Sequence, residues 1–409
     1  MSLKKEKTIC LFYSKGKSNI FSGQRIASEI LVKGLSRNDW KAKEFCSPTF
    51  DRLNSQEKPS KIEIVIAMIK LLSQLSFLWI NGFLISLSKH LVYVNPGQSV
   101  YGLLRDGFPL LIRGILSYHS RGIVSLHGSA FRTWESNSLE ATLLKIIIHG
   151  SRFVTVLGTG QRDKLKEFGV SKSKIVQLDN TCLTESLSSK DILNKHKFYG
   201  NHKKTLKVVY LGYLLEAKGY VQFLEAIELL ANSKEIDLEV TLCGQLKTDN
   251  DQVPRFNNNL LESRKWIKEL ILRVNQSESI SLNWIEGASG HQKASLLKES
   301  HIFVLPSQFR VEAQPLSILE ALAYGCTVIT SKVGEIPDML DSNTAILLDN
   351  CSSISIANAI KFLVEDDSIR TQMTLQGFEL FSQRYKFDVH ISNWIKLLDN
   401  FLDQKGDSL

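Results

Sequence analysis

Glu312 and Glu320 are separated by seven residues within His301–Leu340, HIFVLPSQFRVEAQPLSILEALAYGCTVITSKVGEIPDML. A carboxylate is a poor neighbour for phosphate but a good acceptor for paired hydroxyls, as on a ribose or a hexose ring. Between them stands Pro315, whose fixed φ and missing N–H suit the first position of a helix. The start of a helix has unpaired N–H groups and partial positive charge, which suit a diphosphate. Two carboxylates flanking such a helix end describe a ligand with hydroxyls on both sides of a diphosphate, which is the outline of a nucleotide sugar.

The elements around this pair are readable. The apolar run IFVLP reads as a buried strand and ends in a polar turn, Ser307 to Glu312. Leu316, Leu319, Leu322 and Ala323 give the following helix an apolar face, and Gly325 stops it. Strand Thr327–Thr330 follows at once, so the loop before the helix opens at the carboxyl ends of parallel strands, where open α/β sheets bind ligands. The same rhythm runs through the chain. Strands are expected near Ile9–Tyr13, Leu91–Asn95, Gly122–Leu126, Phe153–Leu157 and Ile175–Leu178. A second series is expected near Lys207–Gly212, Leu238–Cys243, Ser279–Trp284, His301–Leu305 and Thr327–Thr330. The polar stretch Ser186–Lys204 separates the two series and reads as a linker.

The stretch EAQPLSILEALAYGCTVIT resembles the E-x7-E signature of the retaining GT-B glycosyltransferases grouped as family 4. The resemblance implies an α/β fold of two Rossmann-like domains facing across a cleft. Residues 1–190 would form the acceptor domain, residues 205–387 the donor domain, and a final helix within 388–409 would cross back to the first domain. It implies that Glu312 contacts hydroxyls of the donor sugar, that Glu320 holds the ribose, and that the amides of Gln314 and Leu316 serve the diphosphate. Val208–Ile227, VVYLGYLLEAKGYVQFLEAI, is similar to the opening of the donor domain, with Gly212 in its loop and Lys218 as the phosphate-binding lysine. KIVQLDN, ending at Asn180, is similar to the strand before the linker. Gly287 falls at the turn near the base. In the first half, FSGQRIASEILVKGL places Gly23 at the closest approach to the diphosphate, and IVSLHGSAF places His127 at a strand end, facing the sugar. The sequence departs from the family at Tyr213, where an Arg is usual; losing a fixed guanidinium fork weakens a diphosphate clamp, and Arg310 and Arg25 are the candidates to replace it.

By this resemblance the chain is a hexosyltransferase that moves a sugar from a UDP- or GDP-linked donor to an acceptor hydroxyl in polysaccharide or glycolipid assembly. It would need no metal and no cofactor besides that donor. A non-catalytic GT-B subunit and a sugar-nucleotide epimerase or phosphorylase are the rival readings.

Bulk properties fit this picture. The 409 residues exceed what one core sustains, so two domains are expected. Six single cysteines form no CxxC or Cys/His cluster, which speaks against structural zinc and a disulfide framework. Residues 1–200 hold 29 Lys+Arg against 15 Asp+Glu, net +14, and residues 201–409 hold 21 against 27, net −6. A basic first half suits an anionic membrane or a lipid-linked or phosphorylated acceptor; no nucleic-acid partner is expected. The apolar run Thr8–Tyr13 is too short for the core of a signal peptide, and a cytoplasmic protein, peripheral on the inner face of the membrane, is the expected setting. Leu71–Ser88 lacks charge over 18 residues, but Glu63, Lys70, Gln74, Asn81 and Ser88 recur as a polar stripe, so a mostly buried helix is favoured over a membrane-inserting one. Two signals are set aside. Ser14–Ser18 imitates the end of a P-loop, yet Leu11 stands where that motif needs Gly. Asp249–Asn250–Asp251 is formally a metal-binding DxD but sits in a hydrophilic run past its strand.

Overall fold

The computed structural model describes residues 7–15, 23–48, 61–117, 122–197, 205–248 and 255–403. The P-loop-like Gly16–Ser18 and the DxD triplet lie outside them. The chain divides into unit 1, Met1–Asn180 with Phe387–Leu409, and unit 2, Thr181–Lys386.

Unit 1 runs β1 (Lys7–Lys15), α1 (Gly23–Ser36), β2 (Trp40–Pro48), α2 (Lys61–Ser86), β3 (Leu91–Asn95), α3 (Val100–Asp106) and α4 (Phe108–Ile115). It continues with β4 (Gly122–Ser125), α5 (Leu139–His149), β5 (Phe153–Val156), α6 (Thr159–Glu167) and β6 (Ile175–Gln177). Unit 2 runs α7 (Ser189–His196), β7 (Leu206–Leu211), α8 (Tyr220–Ser233), β8 (Leu238–Cys243), α9 (Leu260–Val274), β9 (Ile280–Ile285) and α10 (Gly290–Glu299). It then has β10 (Ile302–Leu305), α11 (Leu316–Ala323), β11 (Thr327–Ser331), α12 (Ile336–Met339), β12 (Ala345–Leu348), α13 (Ser353–Glu365) and α14 (Asp367–Leu380). The last helix, α15 (Phe387–Asp403), returns to unit 1.

Each unit holds one six-stranded parallel sheet. Central strands such as β3 are buried along their whole length, as parallel strands covered on both faces must be. On one face of the unit 1 sheet lie Cys10, Phe12, Val92, Val94 and Val124. On the other, Leu11, Tyr93 and Ile123 meet α1 and α15. Ile391, Trp394, Leu398 and Phe401 recur at helical spacing on α15 and are buried. Trp394 packs edge-on against Tyr93 at 5.7 Å and Phe401 against Phe153 at 6.2 Å. Gly34 lets α1 approach α15, because a Cβ there would lie 2.0 Å from Ile391 Cδ1.

The strand orders locate the binding edges. Unit 1 is ordered β2-β1-β3-β4-β5-β6, and its order reverses between β1 and β3. Unit 2 is ordered β12-β11-β10-β7-β8-β9, the dinucleotide-binding order, and reverses between β7 and β10. Loops after those strands diverge and leave a crevice at the strand carboxyl ends.

The structure departs from the sequence reading in three places. Strands β2 and β12 were not expected; both are sheet edges. Trp40–Pro48 carries Lys41, Lys43 and Glu44 among its apolar residues, and Ala345–Leu348 is four residues long. The stretch Ser186–Lys204, read as linker, contains α7, opened by a Ser188–Asp191 capping box. Its Lys195 Nζ donates to the carbonyls of Tyr324 at 2.9 Å and Gly325 at 3.0 Å, and the division between units falls earlier, after Asn180. Finally, the expectation of a mostly buried helix over Leu71–Ser88 does not hold for α2. Leu78, Gly82 and Ser86 are buried, while Ile69, Leu72, Ile80, Phe83, Leu84 and Leu87 are exposed. Of the anticipated polar stripe, Asn81 and Ser88 are half-buried; the side chains of Glu63, Lys70 and Gln74 lie outside those described.

Candidate active site

The reversal point of unit 2 is built by two loops tied to each other. After β7 the chain makes a short turn, Glu216–Lys218, and leaves it through Gly219 at φ +78°. A Cβ on Gly219 would lie 2.1 Å from Pro306 O in the loop after β10, so both the left-handed backbone and the close approach require glycine. Gln308 N donates to Ala217 O at 2.7 Å across the same junction. The buried Tyr210 hydroxyl lies 3.3 Å from Lys218 O and 3.2 Å from Tyr213 O. Lys218 is thereby fixed at its backbone and free to swing only at its side chain.

That side chain reaches Glu312. Lys218 Nζ lies 3.2 Å from Glu312 Oε1 and 3.1 Å from Oε2. Ser307 Oγ donates to Glu312 Oε2 at 2.9 Å. Glu312 is held at its backbone as well: its N–H donates to Phe309 O at 2.9 Å and its carbonyl accepts from Glu335 N at 3.1 Å. Gly334, at φ +60°, presses on the Glu312 carbonyl so closely that a Cβ there would lie 1.8 Å away. The carboxylate, with 7% of the residue exposed, is a preformed acceptor with a cation beside it.

Helix α11 starts two residues beyond the buried Gln314, with Pro315 as its N-cap. Helix geometry leaves the amides of Leu316 and Ser317 without intrahelical acceptors. One turn on, Glu320 Oε1 pairs with Lys293 Nζ of α10 at 2.6 Å. Burial raises the Glu320 pKa above the ordinary carboxylate value, and Lys293 opposes that rise. Behind it, burial and the Glu320 charge push the Cys182 thiol up to about 12, so it is an inert apolar wall. Gly212 follows β7, its N–H donating to Cys243 O at 3.1 Å, and Gly287 turns the chain after β9 at φ +119°. Glu312, Lys218, Gln314, Leu316, Gly212 and Gly287 thus lie in loops or helix starts at one end of one sheet, with Glu320 one turn into α11. Tyr213, in the position of the family's arginine, carries Lys247 Nζ 5.5 Å above its ring. Arg310 is exposed, and Arg25 of unit 1 is engaged with Glu29 at 2.7 Å.

The remaining expected residues belong to unit 1. His127 follows β4, with its Nε2 3.0 Å from Ser125 Oγ, which in turn accepts from Thr155 Oγ1 at 2.8 Å. Among the described residues its buried Nδ1 has no partner. Burial, with His390 nearby, pushes its pKa down to about 3, so it is a neutral imidazole at physiological pH. Gly23 opens α1, and a Cβ there would meet nothing within 4 Å, so no contact within the described residues demands glycine. Its neighbour Gln24 ties α1 to the end of β3 through Asn95 Oδ1 at 2.9 Å. No group of three or more His, Cys, Asp or Glu among the described residues has the spacing of a metal site.

Residues 191–379 match the family model Glycosyl transferases group 1. The match covers a little under half of the chain, all of it within unit 2. A curated relative, the D-inositol 3-phosphate glycosyltransferase of Corynebacterium diphtheriae, is 24% identical over 179 residues, covering 43% of this chain and 38% of that enzyme. The aligned part is thus well under half the length of that relative. Among solved structures, HepE of Anabaena in complex with UDP superposes with TM-score 0.64 at 14% identity, over 96% of this chain and all of that one. Sucrose-phosphate synthase from Thermosynechococcus elongatus gives TM-score 0.64 at 15% identity over 98% and 100%. These likenesses establish the GT-B fold, with two parallel six-stranded sheets and flanking helices.

Sequence reasoning missed Ser307, Gly334, Lys293 and Tyr210, which hold the site, and Lys247, a cation over the Tyr213 ring. Only Gly334 carried a local signal, as a glycine just past a buried strand. Ser307 and Tyr210 act over three to eight residues with no motif to mark them, and Lys293 and Lys247 through contacts far apart in sequence.

Proposed function

We propose that this chain is a metal-independent hexosyltransferase that takes a UDP- or GDP-linked sugar and retains its anomeric configuration. The observation that carries this reading is the Lys218–Glu312 pair at the reversal point of the unit 2 sheet, next to the start of α11. In this reading the donor diphosphate lies against the amides of Leu316 and Ser317, with Lys218 and Lys247 as its cations. Lys247 would take the role left open by Tyr213. Glu312 would accept from sugar hydroxyls and Glu320 from the ribose. HepE structures hold UDP and UDP-glucose, which favours a UDP-linked over a GDP-linked donor.

As the bond between the anomeric carbon and the diphosphate oxygen breaks, negative charge grows on the leaving group. Lys218 and the helix start stabilise that charge more than they stabilise the intact donor, which is what lowers a barrier. The acceptor oxygen attacks from the same face, and its proton passes to the departing phosphate oxygen. No separate base is then required. Neutral His127 would serve as a hydrogen-bond partner for the sugar. The acceptor would be a saccharide or lipid-linked hydroxyl of polysaccharide or glycolipid assembly.

The test is a thermal-shift titration with UDP, GDP and their hexose conjugates, in EDTA, beside Glu320→Ala. Stabilisation by one nucleotide family that disappears in the variant supports the pocket. Absence of any shift sinks the reading and leaves a non-catalytic GT-B subunit. Nucleotide release that needs no acceptor would instead indicate an epimerase.

A further inference from the structure

Helix α2 turns the wrong side to water. Ile69, Leu72, Ile80, Phe83, Leu84 and Leu87 are each between 47% and 62% exposed. At 100° per residue they share about 120° of helix arc. The polar residues inside that arc are Ser73 and Ser76, and Ser76 turns its hydroxyl back to Leu72 O at 2.8 Å. Ile115 and Leu116, at the end of α4, which packs on α2, are 63% and 56% exposed. Exposed apolar side chains concentrated on one helix face are normally covered.

The helix is also firmly held. Arg113 donates to the carbonyls of Ile85, Ser86, Ser88 and His90 at 3.0–3.1 Å. Trp79 stacks on Phe108 at 5.5 Å and donates its indole N–H to Leu104 O at 3.2 Å. The exposed face is therefore presented by a fixed helix, and turning it inward would break these bonds.

What borders the face decides its occupant. Lys41 and Lys43 are exposed on β2, on the sheet face that also carries Phe45, which stacks on Phe12 in the core beside α2. Lys89 and His90 are exposed just past the end of α2. Glu44 points to the opposite face, where it accepts from Tyr13. A second copy of the chain would set two such basic rims against each other. The segment 49–60 holds only Phe50 and Leu53 as large apolar residues, too few to cover the face. An anionic lipid surface meets both demands, taking the apolar side chains between acyl chains and the lysines at the headgroups. Leu78, Gly82 and Ser86 are buried against the rest of unit 1, so only the opposite side of the helix is open to a bilayer and the helix would lie in the interface.

We infer that the exposed face of α2, with Ile115 and Leu116 and the rim lysines 41, 43 and 89, docks this protein on an anionic bilayer. The inference goes beyond the transferase reading and does not depend on it. It is tested by flotation with vesicles of phosphatidylcholine alone and of phosphatidylcholine with 30% phosphatidylglycerol. The full-length protein is expected to float with the anionic vesicles and at least tenfold less with the neutral ones. Ile80→Ser/Phe83→Ser/Leu84→Ser should abolish flotation, and Lys41→Ser/Lys43→Ser should reduce it about 25-fold, each lysine near a surface being worth about fivefold. Circular dichroism and the UDP thermal shift, read on the same preparations, separate loss of docking from loss of fold and from failure of the donor site. Two results overturn the inference. One is no preference of wild type for anionic vesicles. The other is a concentration-dependent dimer in sedimentation that the triple serine variant abolishes, which would make the face a contact between copies.

Discussion

Acidification should unfold unit 1 through two buried histidines. His127 has its pKa pushed from 6.5 down to about 3 by burial and by His390, and His390 is pushed to about 4 mainly by burial. Both are neutral in the folded protein above pH 5, whereas the same residues in the unfolded chain bind protons from about pH 6.5 downward. The unfolded state therefore takes up more protons as the pH falls. The stability tied to these groups is whole above pH 6.5 and is lost progressively on the way to pH 3. At pH 5 an unfolded histidine gains a factor of about 30 over a folded one with these pKa values, or about 2 kcal/mol each. The pair shares a neighbourhood, so about 4 kcal/mol is an upper figure, a large part of an ordinary domain's stability. The assay is hydrogen exchange of the β1, β3 and β4 amides between pH 7.5 and 5, corrected for intrinsic rates, on wild type, His390→Gln and His127→Gln. Each substitution should flatten the pH dependence by about 2 kcal/mol at pH 5. If both variants keep the wild-type slope, the imidazoles are solvated in the folded state and the reasoning fails.

Three further outcomes follow from the site. Lys218→Ala should lower sugar transfer about 100- to 1,000-fold with a smaller change in donor affinity, since its charge matters most as the leaving group forms; an equal loss in KM and none in kcat would make it a ground-state binder. Lys247→Ala should weaken UDP binding about tenfold, the size of one charge-assisted contact, and Tyr213→Arg in that background should restore it; calorimetry reads both. Gly334→Ala places a Cβ 1.8 Å from the Glu312 carbonyl at a φ that alanine resists. It should cost about 1–3 kcal/mol in chemical unfolding of unit 2 and abolish the UDP thermal shift.

Much of the fold was readable because parallel strands buried on both faces write themselves as apolar runs. IFVLP and TVIT in unit 2 and LVYVN in unit 1 could hardly be anything else. The edges β2 and β12 escaped for the complementary reason: an edge strand is covered on fewer sides, so its sequence is freer to alternate or to be short. The α7 helix was missed because its capping box lies in a run rich in Ser and Lys, where composition spoke louder than pattern. The candidate site was legible where one segment writes both its ends, as from Glu312 through Pro315 to Glu320. It was illegible where the fold joins distant segments. Nothing in the spacing of Lys293 and Glu320, or of Gly334 and Glu312, announces that they meet.

Helix α2 shows a stricter limit. Periodicity tells which side of a helix is buried only when the other side is polar, and α2 is apolar nearly all round. Its orientation is decided by fit. The buried side carries Gly82, where a Cβ would lie 3.1 Å from the Phe108 ring, and Ser86, whose carbonyl accepts from Arg113. The large aliphatic residues lie on the side that remains. A narrow row of polar residues at one edge of such a helix therefore marks neither the solvent face nor the core face. Exposure of the wider apolar arc is then an outcome of packing, and for a protein that must stay monodisperse it is costly to keep unless a surface covers it. On that reasoning the apolar arc should be needed for membrane contact and dispensable for donor binding. A serine substitution there that weakens UDP binding as much as flotation would show the arc to be part of the folded core after all.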